Sequence, residues 1–434
     1  MVGKRRSIGV GLMGLGVIGS GAARVLLGKA DALARQTGSP LVLKKVLEQD
    51  LTKHGSMGIE PQLFTTQFAE IVGHPEIDIV VELMGGEHPA FEYIKEALIG
   101  GKHVVTANKE VMAKHAYELL ALAKEHQVGL RYEASVGGGI PLIAPFQRDL
   151  VVNDILGIYA IVNGTTNYIL TRMAQEGLDF SAALRQAQEL GYAEANPADD
   201  VDGLDAAYKL AILTTLAFNT EVSLENIYYE GISRLQGRDF RYARELGYAI
   251  KLLAIAKRAG DCIEARVHPV FIPEDSLLAK VDGIYNAIHV EGDLVGKVIF
   301  YGEGAGPSAT SSAVVADIIN IAQNLSREVG SAPELLFGRE QPIKPMAEIE
   351  TRYYLRMNVV DQPGVLAQIS KVLGDHFISI SSVIQKEADP STQTAEIVIM
   401  THPAKEQAVQ QALKETERLA VVKEISNFIR VEAK

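Results

Sequence analysis

The stretch Gly9-Val10-Gly11-Leu12-Met13-Gly14-Leu15-Gly16-Val17-Ile18-Gly19 constrains the fold more than any other part of the chain. An apolar run punctuated by glycines makes a poor helix, because each glycine gives up backbone entropy on folding. The same residues suit a strand that turns sharply into a helix. Gly14, Gly16 and Gly19 have the G-x-G-x-x-G spacing: the first permits a tight turn, the second a close backbone approach, the third helix-on-strand packing. Read this way, Gly14, Leu15, Gly16, Val17, Ile18 and Gly19 form a turn that points a helix N-terminus at a pyrophosphate. Any glycine-rich bend in an α/β protein can match the pattern, so the weight falls on what surrounds it.

The basic start followed by an apolar run also imitates a secretory signal, but the glycines would weaken the helix such a signal needs. No other segment offers about 18 uninterrupted apolar residues, so the sequence predicts no membrane span and a cytoplasmic protein.

Beyond the turn, short β-rich runs alternate with helical patterns: "SIGVGLMG", "GSGAARVLLGKADALARQ" as one helix, "LVLKKVLEQD", "DIVVELMG", "AFEYIKEALIGG" and "HVVTAN". Alternation of this kind predicts a Rossmann-type, doubly wound parallel sheet with helices on both faces. From about residue 141 the rhythm changes. Longer helices are expected at "FSAALRQAQELG", "LDAAYKLAILTTLA" and "RYARELGYAIKLLAIAKRAG", with strands at "ILGIYAIVNG" and "IEARVHPVFI", which makes a second, α+β domain. Residues 331–349 carry prolines without a clear period and read as a linker. The remainder spells β-α-β-β-α-β, a small ferredoxin-like domain. The expected boundaries are 1–140 for dinucleotide binding, completed by 305–330; 141–304 for catalysis, substrate and oligomerisation; and 350–434 for the tail.

At 434 residues the chain is too long for one ordinary core, and its 47% hydrophobic share fills two or three. A formal net charge of −12 argues against nucleic acid as a partner, since phosphate backbones select excess Lys and Arg. Cys262 is the only cysteine, which excludes an internal disulfide and suits a reduced compartment.

Three further stretches carry chemistry. "TANKE" (106–110) ends a strand where open α/β sheets bind ligands, and it turns abruptly from apolar to polar, which makes Lys109 a candidate. "EASVGGGIP" (133–141) has three glycines with no side chains to pack; spacing alone favours a hinge between domains over exposed carbonyls plus one carboxylate holding a hard monovalent cation. In "GYAEANPADDVDGLDAAYKLAILTTLA" (191–217), Asp205 and Lys209 sit four apart on a helix that Asp202 caps if it starts at Gly203. The rest of that helix is apolar all round. A lysine buried there is expected to be paired or working, its pKa lowered by burial and raised by a nearby Asp.

At these residues the chain resembles the homoserine dehydrogenase family. The glycine turn, "TANKE", "EASVGGGIP", "NGTTNYIL" (163–170), "GYAEANPADDVDGLDAAYKL" (191–210) and "GEGAGPSATSSAVVADI" (302–318) fall in the family's order. The tail, with Asp361, Gln362, Pro363, Gly364 and Val365 after its first strand, resembles an ACT domain, a module that commonly binds amino acids. The resemblance implies interconversion of L-homoserine and L-aspartate 4-semialdehyde with NAD or NADP, on the route to threonine, isoleucine and methionine. By position, Lys209 matches the proton donor and Lys109 a second active-site lysine near the cofactor. Glu194 and Asp205 match substrate ligands, in keeping with the ammonium of homoserine. Glu133, with the carbonyls of Val136, Gly138 and Ile140, matches a sodium site, and this displaces the hinge reading. Gly191, Gly304 and Gly306 fall at cofactor contacts.

The chain departs from the family after the second strand, where many members place an Arg that grips the 2′-phosphate of NADP. Here Gln49 stands at that position, flanked by Glu48 and Asp50 and followed by Lys53, so both cofactors stay open. The ACT resemblance implies an amino-acid effector, threonine first, bound near Asp361, Pro363, Gly364 and Val365, and a homo-dimer or homo-tetramer. A thioester-forming semialdehyde dehydrogenase would need a nucleophilic cysteine, and Cys262 lies far from the nucleotide motifs in sequence. The competing reading is a non-catalytic sensor of dinucleotide and amino acid, which gives no reason to bury Lys209.

Overall fold

β1 (Ile8–Met13) is buried at every position, as a central parallel strand with helices on both faces requires. The structure is a computed structural model that describes residues 7–53, 58–329, 341–389 and 391–432. The chain forms two compact units, one of residues 1–155, 208–224 and 291–341, the other of residues 156–207, 225–290 and 342–434. Among the described residues no helix is long and apolar enough to cross a membrane.

In the first unit β1 is joined by β2 (Leu41–Leu47), β3 (Phe64–Thr65), β4 (Ile79–Glu82), β5 (His103–Thr106) and β6 (Leu130–Arg131). Their order is β3-β2-β1-β4-β5-β6 and the pairs are parallel, so the strand sequence reverses direction at β1, beside β4. That reversal opens the crevice in which such sheets bind dinucleotides. The expected single helix after the glycine turn is two, Val17–Gly28 and Ala30–Thr37, broken at Lys29, whose φ of −116° and ψ of 20° leave the helical region. Helix Pro307–Ser326 returns to the same core, where Val314, Ile318 and Ile321 cluster with Val10, Leu12, Ala22 and Leu26.

The second unit is built on a mixed sheet. It contains β7 (Ile155–Ile161), β8 (Tyr228–Tyr229), β9 (Tyr248–Ala259), β10 (Cys262–Pro273) and β11 (Tyr285–Gly292), while β12 (Gly296–Glu303) belongs to the first unit. The helix expected over 241–260 is absent as such: helix Gly237–Glu245 stops, Gly247 takes φ 79°, and Tyr248 onward is β9. The physical reason is pairing. β9 and β10 form a hairpin in register from Cys262↔Ala259 to Pro273↔Tyr248, and these long-range bonds override the helical propensity of an Ala-, Leu- and Lys-rich segment.

The C-terminal module is an ACT fold: β13 (Glu350–Val360), helix Val365–Asp375, β14 (Ile380–Asp389), β15 (Thr394–Thr401), the short β16 (Ala404–Lys405), helix Glu406–Thr416 and β17 (Val422–Val431). It has its own core around Leu355, Ile369, Ile397 and Val409. Its sheet is continuous with the rest of the unit, in the order β11-β7-β9-β10-β17-β13-β15-β14, because β17 runs parallel to β10 at Val270↔Arg430 and Phe271↔Val431. Residues 331–340 of the expected linker lie outside the described residues. The part that follows pairs with β10, Ile263 N–H donating to Pro342 O at 3.0 Å and Lys344 N–H to Ile263 O at 2.8 Å.

Among the described residues, two fully buried arginines of the module itself join it to its neighbours. Arg356 donates to Asp239 at 2.7 Å and to Glu396 at 3.0 Å; Arg430 donates to Glu406 at 2.6 Å and to Glu230 at 2.7 Å. Removing one partner of such a pair leaves an uncompensated buried charge, so the joint is costly to break.

Candidate active site

The glycine turn follows β1 as its spacing predicts. Gly14 has φ 89°, and a Cβ there would lie 2.7 Å from Leu83 O; a Cβ on Gly19 would lie 2.0 Å from Gly14 O. Both positions therefore require glycine. Leu15 is buried, whereas Gly16 and Val17, at the start of the helix, are exposed and leave its first N–H groups open to an anion. Gly306 precedes helix Pro307–Ser326 with φ 116°, and Gly304 is touched by the triglycine loop.

Lys109 opens helix Lys109–Glu125 directly after β5. Asn108 caps that helix, accepting Val111 N–H at 3.1 Å, and donates to Gly86 O at 2.7 Å. Beneath it lies a residue that sequence reasoning passed over. Glu82 ends β4, fully buried, and accepts the Thr106 hydroxyl at 2.6 Å and Met84 N–H at 2.7 Å, while Thr106 Oγ accepts Asn108 N–H at 3.0 Å. Burial raises the Glu82 pKa, against hydrogen bonds that lower it. The only trace in the sequence was an acid closing the apolar run "DIVVELMG".

Lys209 is half-buried rather than sunk, while residues 205–208 and 210–218 of its helix, Leu204–Phe218, are buried. The correction has a simple cause: a lysine's long stem can lie along an apolar surface while its ammonium reaches polar surroundings. The helix begins at Leu204, Gly203 O accepts Ala207 N–H at 3.0 Å, and Asp202 closes the preceding short helix Ala198–Val201, so Asp202 is not its cap. Beside the lysines, Tyr208 Oη donates to Glu110 at 3.4 Å, which ties the Lys209 helix to the Lys109 helix.

The triglycine loop is anchored from both sides. Glu133 N–H donates to Asp317 at 2.9 Å, and its carboxylate accepts the N–H groups of Leu142, Ile143 and Ala144. That carboxylate is held in place by the next turn. Among the described residues no three His, Cys, Asp or Glu gather as a metal cluster, which a carbonyl site does not need. Val136, Gly138 and Ile140 are buried, and a Cβ on Gly138 would lie 2.5 Å from Gly304 O.

In the second unit one side chain gathers the acids. Asn163, at the end of β7, is buried; its amide donates to Asp200 Oδ1 at 2.7 Å and Asp205 Oδ2 at 2.8 Å, and its oxygen accepts Thr166 N–H at 2.8 Å. Asp205 is buried. Glu194 and Gly191 lie in an exposed loop, Gly191 with φ 76°; Thr165 Oγ donates to Tyr192 O at 2.7 Å and Gln188 to Glu194 O at 3.0 Å. Sequence reasoning gave Asn163 no role of its own. Asp361, Pro363 and Gly364 form an exposed turn before helix Val365–Asp375, with Gly364 at φ 87° and Val365 buried.

Comparison with known proteins closes the question of kinship. Residues 14–133 match the model of the homoserine dehydrogenase NAD binding domain, 141–319 that of homoserine dehydrogenase, and 353–421 that of the ACT domain. The chain is 42% identical over 434 residues to the homoserine dehydrogenase of Neisseria gonorrhoeae, covering 99% of each. A homoserine dehydrogenase structure from Thiobacillus denitrificans superposes with a TM-score of 0.91 at 42% identity, over 98% of both chains. A hyperthermophilic archaeal homoserine dehydrogenase in complex with NADPH aligns with a TM-score of 0.62 at 28% identity, over 73% of this chain and 97% of that one. With its glycine turn, its paired acids and its ACT tail, the chain belongs to the homoserine dehydrogenase family of oxidoreductases.

Proposed function

We propose that the chain interconverts L-homoserine and L-aspartate 4-semialdehyde with NAD or NADP, serving threonine, isoleucine and methionine synthesis in the cytoplasm. The observation that carries this reading is the Asn163 clamp on Asp200 and Asp205, at the foot of the helix that presents Lys209 one turn later. Carboxylates held at one place suit the substrate's ammonium, and a lysine at a fixed distance along a rigid helix suits its oxygen.

When bound, the nicotinamide exchanges a hydride with the carbon that is aldehyde in one substrate and alcohol in the other. Lys209 gives or takes the proton at the oxygen on that carbon, and Lys109 polarises the carbonyl, its place set by Asn108 and the Glu82–Thr106 pair. Glu194 and Asp205 hold the ammonium. The exposed N-terminus of helix Val17–Gly28 receives the pyrophosphate, with Gly191, Gly304 and Gly306 as further cofactor contacts, and the NADPH complex of the archaeal relative supports this class. Sodium is assigned to Glu133 with the main-chain carbonyls of Val136, Gly138 and Ile140.

An amino acid, threonine first, binds at Asp361, Pro363, Gly364 and Val365 and inhibits. Support comes from a contact path inside the second unit. Arg430 of the ACT module holds Glu230; a Cβ on the adjacent Gly231 would lie 2.1 Å from Val201 O; Ile232 N–H donates to Val201 O at 2.9 Å; and Val201 follows Asp200. A homo-oligomer is supported by an exposed apolar patch in the first unit: Val151 and Val152 adjoin Leu294 and Val295, joined by a 2.8 Å bond from Val295 N–H to Asn153. The test is direct. Purified protein given homoserine and either dinucleotide should form the reduced cofactor and a trappable aldehyde; folded protein that binds cofactor yet forms neither product contradicts the proposal.

A further inference from the structure

We infer that Glu48 fixes the coenzyme choice in favour of NAD over NADP. The inference rests on the Gly14–Gly19 turn being the dinucleotide site. Glu48 is the first residue after β2, and its N–H donates to Thr65 O at 3.0 Å, which keeps its backbone in line with the sheet. Its side chain is also held. Oε2 accepts Leu15 N–H at 2.9 Å, inside the glycine turn, and Oε1 accepts Asp50 N–H at 3.1 Å. Gly14 N–H donates to Leu47 O at 2.9 Å, so the ends of β1 and β2 are stitched together at successive residues.

In a doubly wound sheet the end of the second strand meets the adenosine ribose, and an acid there accepts the 2′-hydroxyl as a hydrogen-bond donor. A 2′-phosphate at that place sets a dianion against a half-buried carboxylate that cannot swing away without releasing Leu15 N–H. The described neighbours offer no cationic relief. Gln49 is neutral and exposed, and Asp50 is a second carboxylate whose Oδ1 is bound by Thr52 N–H at 3.0 Å and the Thr52 hydroxyl at 2.6 Å. The lysines of β2 are committed, Lys44 to Glu76 at 3.0 Å and Lys45 to Glu70 at 2.9 Å. The side chain of Lys53, which follows in sequence, lies outside the described residues.

Equilibrium titration of the whole protein with NADH and with NADPH, followed by cofactor fluorescence, tests the inference without turnover. The parent should bind NADH at least about tenfold more tightly than NADPH. Glu48→Gln keeps an acceptor for Leu15 N–H but removes the charge, and should tighten NADPH about tenfold while moving NADH only a few-fold. Gln49→Arg alone should leave NADH preferred, because the carboxylate stays. Equal affinities in the parent, or a ratio unmoved by Glu48→Gln, would overturn the assignment of Glu48 and leave the dinucleotide site standing. Failure of folded parent protein to bind either nucleotide would overturn both.

Discussion

Asn163 Nδ2 lies 2.8 Å from Asp205 Oδ2 and 2.7 Å from Asp200 Oδ1, so one amide holds two carboxylates as a pair. Left alone, two such acids would repel each other; an amide that donates one hydrogen to each holds them in a fixed direction. Asn163 is a positioning residue, and replacing it with Leu should raise KM for homoserine by about 10- to 100-fold, the worth of one or two charge-assisted bonds. Cofactor affinity, measured by titration, should stay within about threefold. A KM unchanged in the variant would remove the clamp from the account.

Glu82 is expected to matter through what it leaves unpaired. Glu82→Ala orphans the Thr106 hydroxyl and Met84 N–H, at a cost of roughly 1–3 kcal/mol for each donor. Glu82→Gln retains an acceptor and should lose much less. Urea unfolding of the two variants checks the difference, and equal losses would contradict it.

The joint between Arg430 and Glu230 predicts a separation of regulation from turnover. In Glu230→Gln the charged link to Arg430 is weakened while Asp200, Asp205 and both lysines are untouched. Turnover without effector should change little, and the threonine concentration for half-inhibition should rise several-fold. Inhibition identical to that of the parent would place the coupling elsewhere.

Acid should loosen the same region. His268 is fully buried, donates Nδ1–H to Pro269 O at 2.9 Å and accepts Arg266 Nε at 3.2 Å, and burial first, then Arg430 and Arg266, hold its pKa well below the usual 6.5. A depressed folded-state pKa means that below about pH 6.5 the unfolded chain takes up a proton that the folded chain refuses. Stability contributed by the neutral imidazole is therefore present above that pH and lost as pH falls through it. The Tm should drop between about pH 7.5 and about pH 5.5, and His268→Gln should flatten that slope. A slope as steep in the variant would exclude His268 as its source.

What could be read from the sequence was whatever spacing alone dictates. Gly14 and Gly19 are forced by the close approach of Leu83 O and Gly14 O, and a strand-turn-helix at residues 8–28 follows from them. The ACT elements were likewise legible, because each strand and helix is short and clearly periodic. Residues 248–259 were not, since "YAIKLLAIAKRA" suits a helix until β10 pairs with all of it, a contact made only in three dimensions. Asn163 was invisible for the same reason: its partner Asp205 is 42 residues away. The half-exposed Lys209 shows a further limit, for composition places a stem in the core without saying where its ammonium ends.

The most direct test of the account is steady-state oxidation of homoserine by the parent and by Lys209→Ala, with NADH affinity and Tm measured on both. Loss of a general acid–base group predicts a kcat lower by about 10²- to 10⁴-fold, with cofactor binding and stability nearly unchanged. Turnover within a few-fold of the parent would show that proton transfer does not pass through this lysine, and the central claim would be wrong.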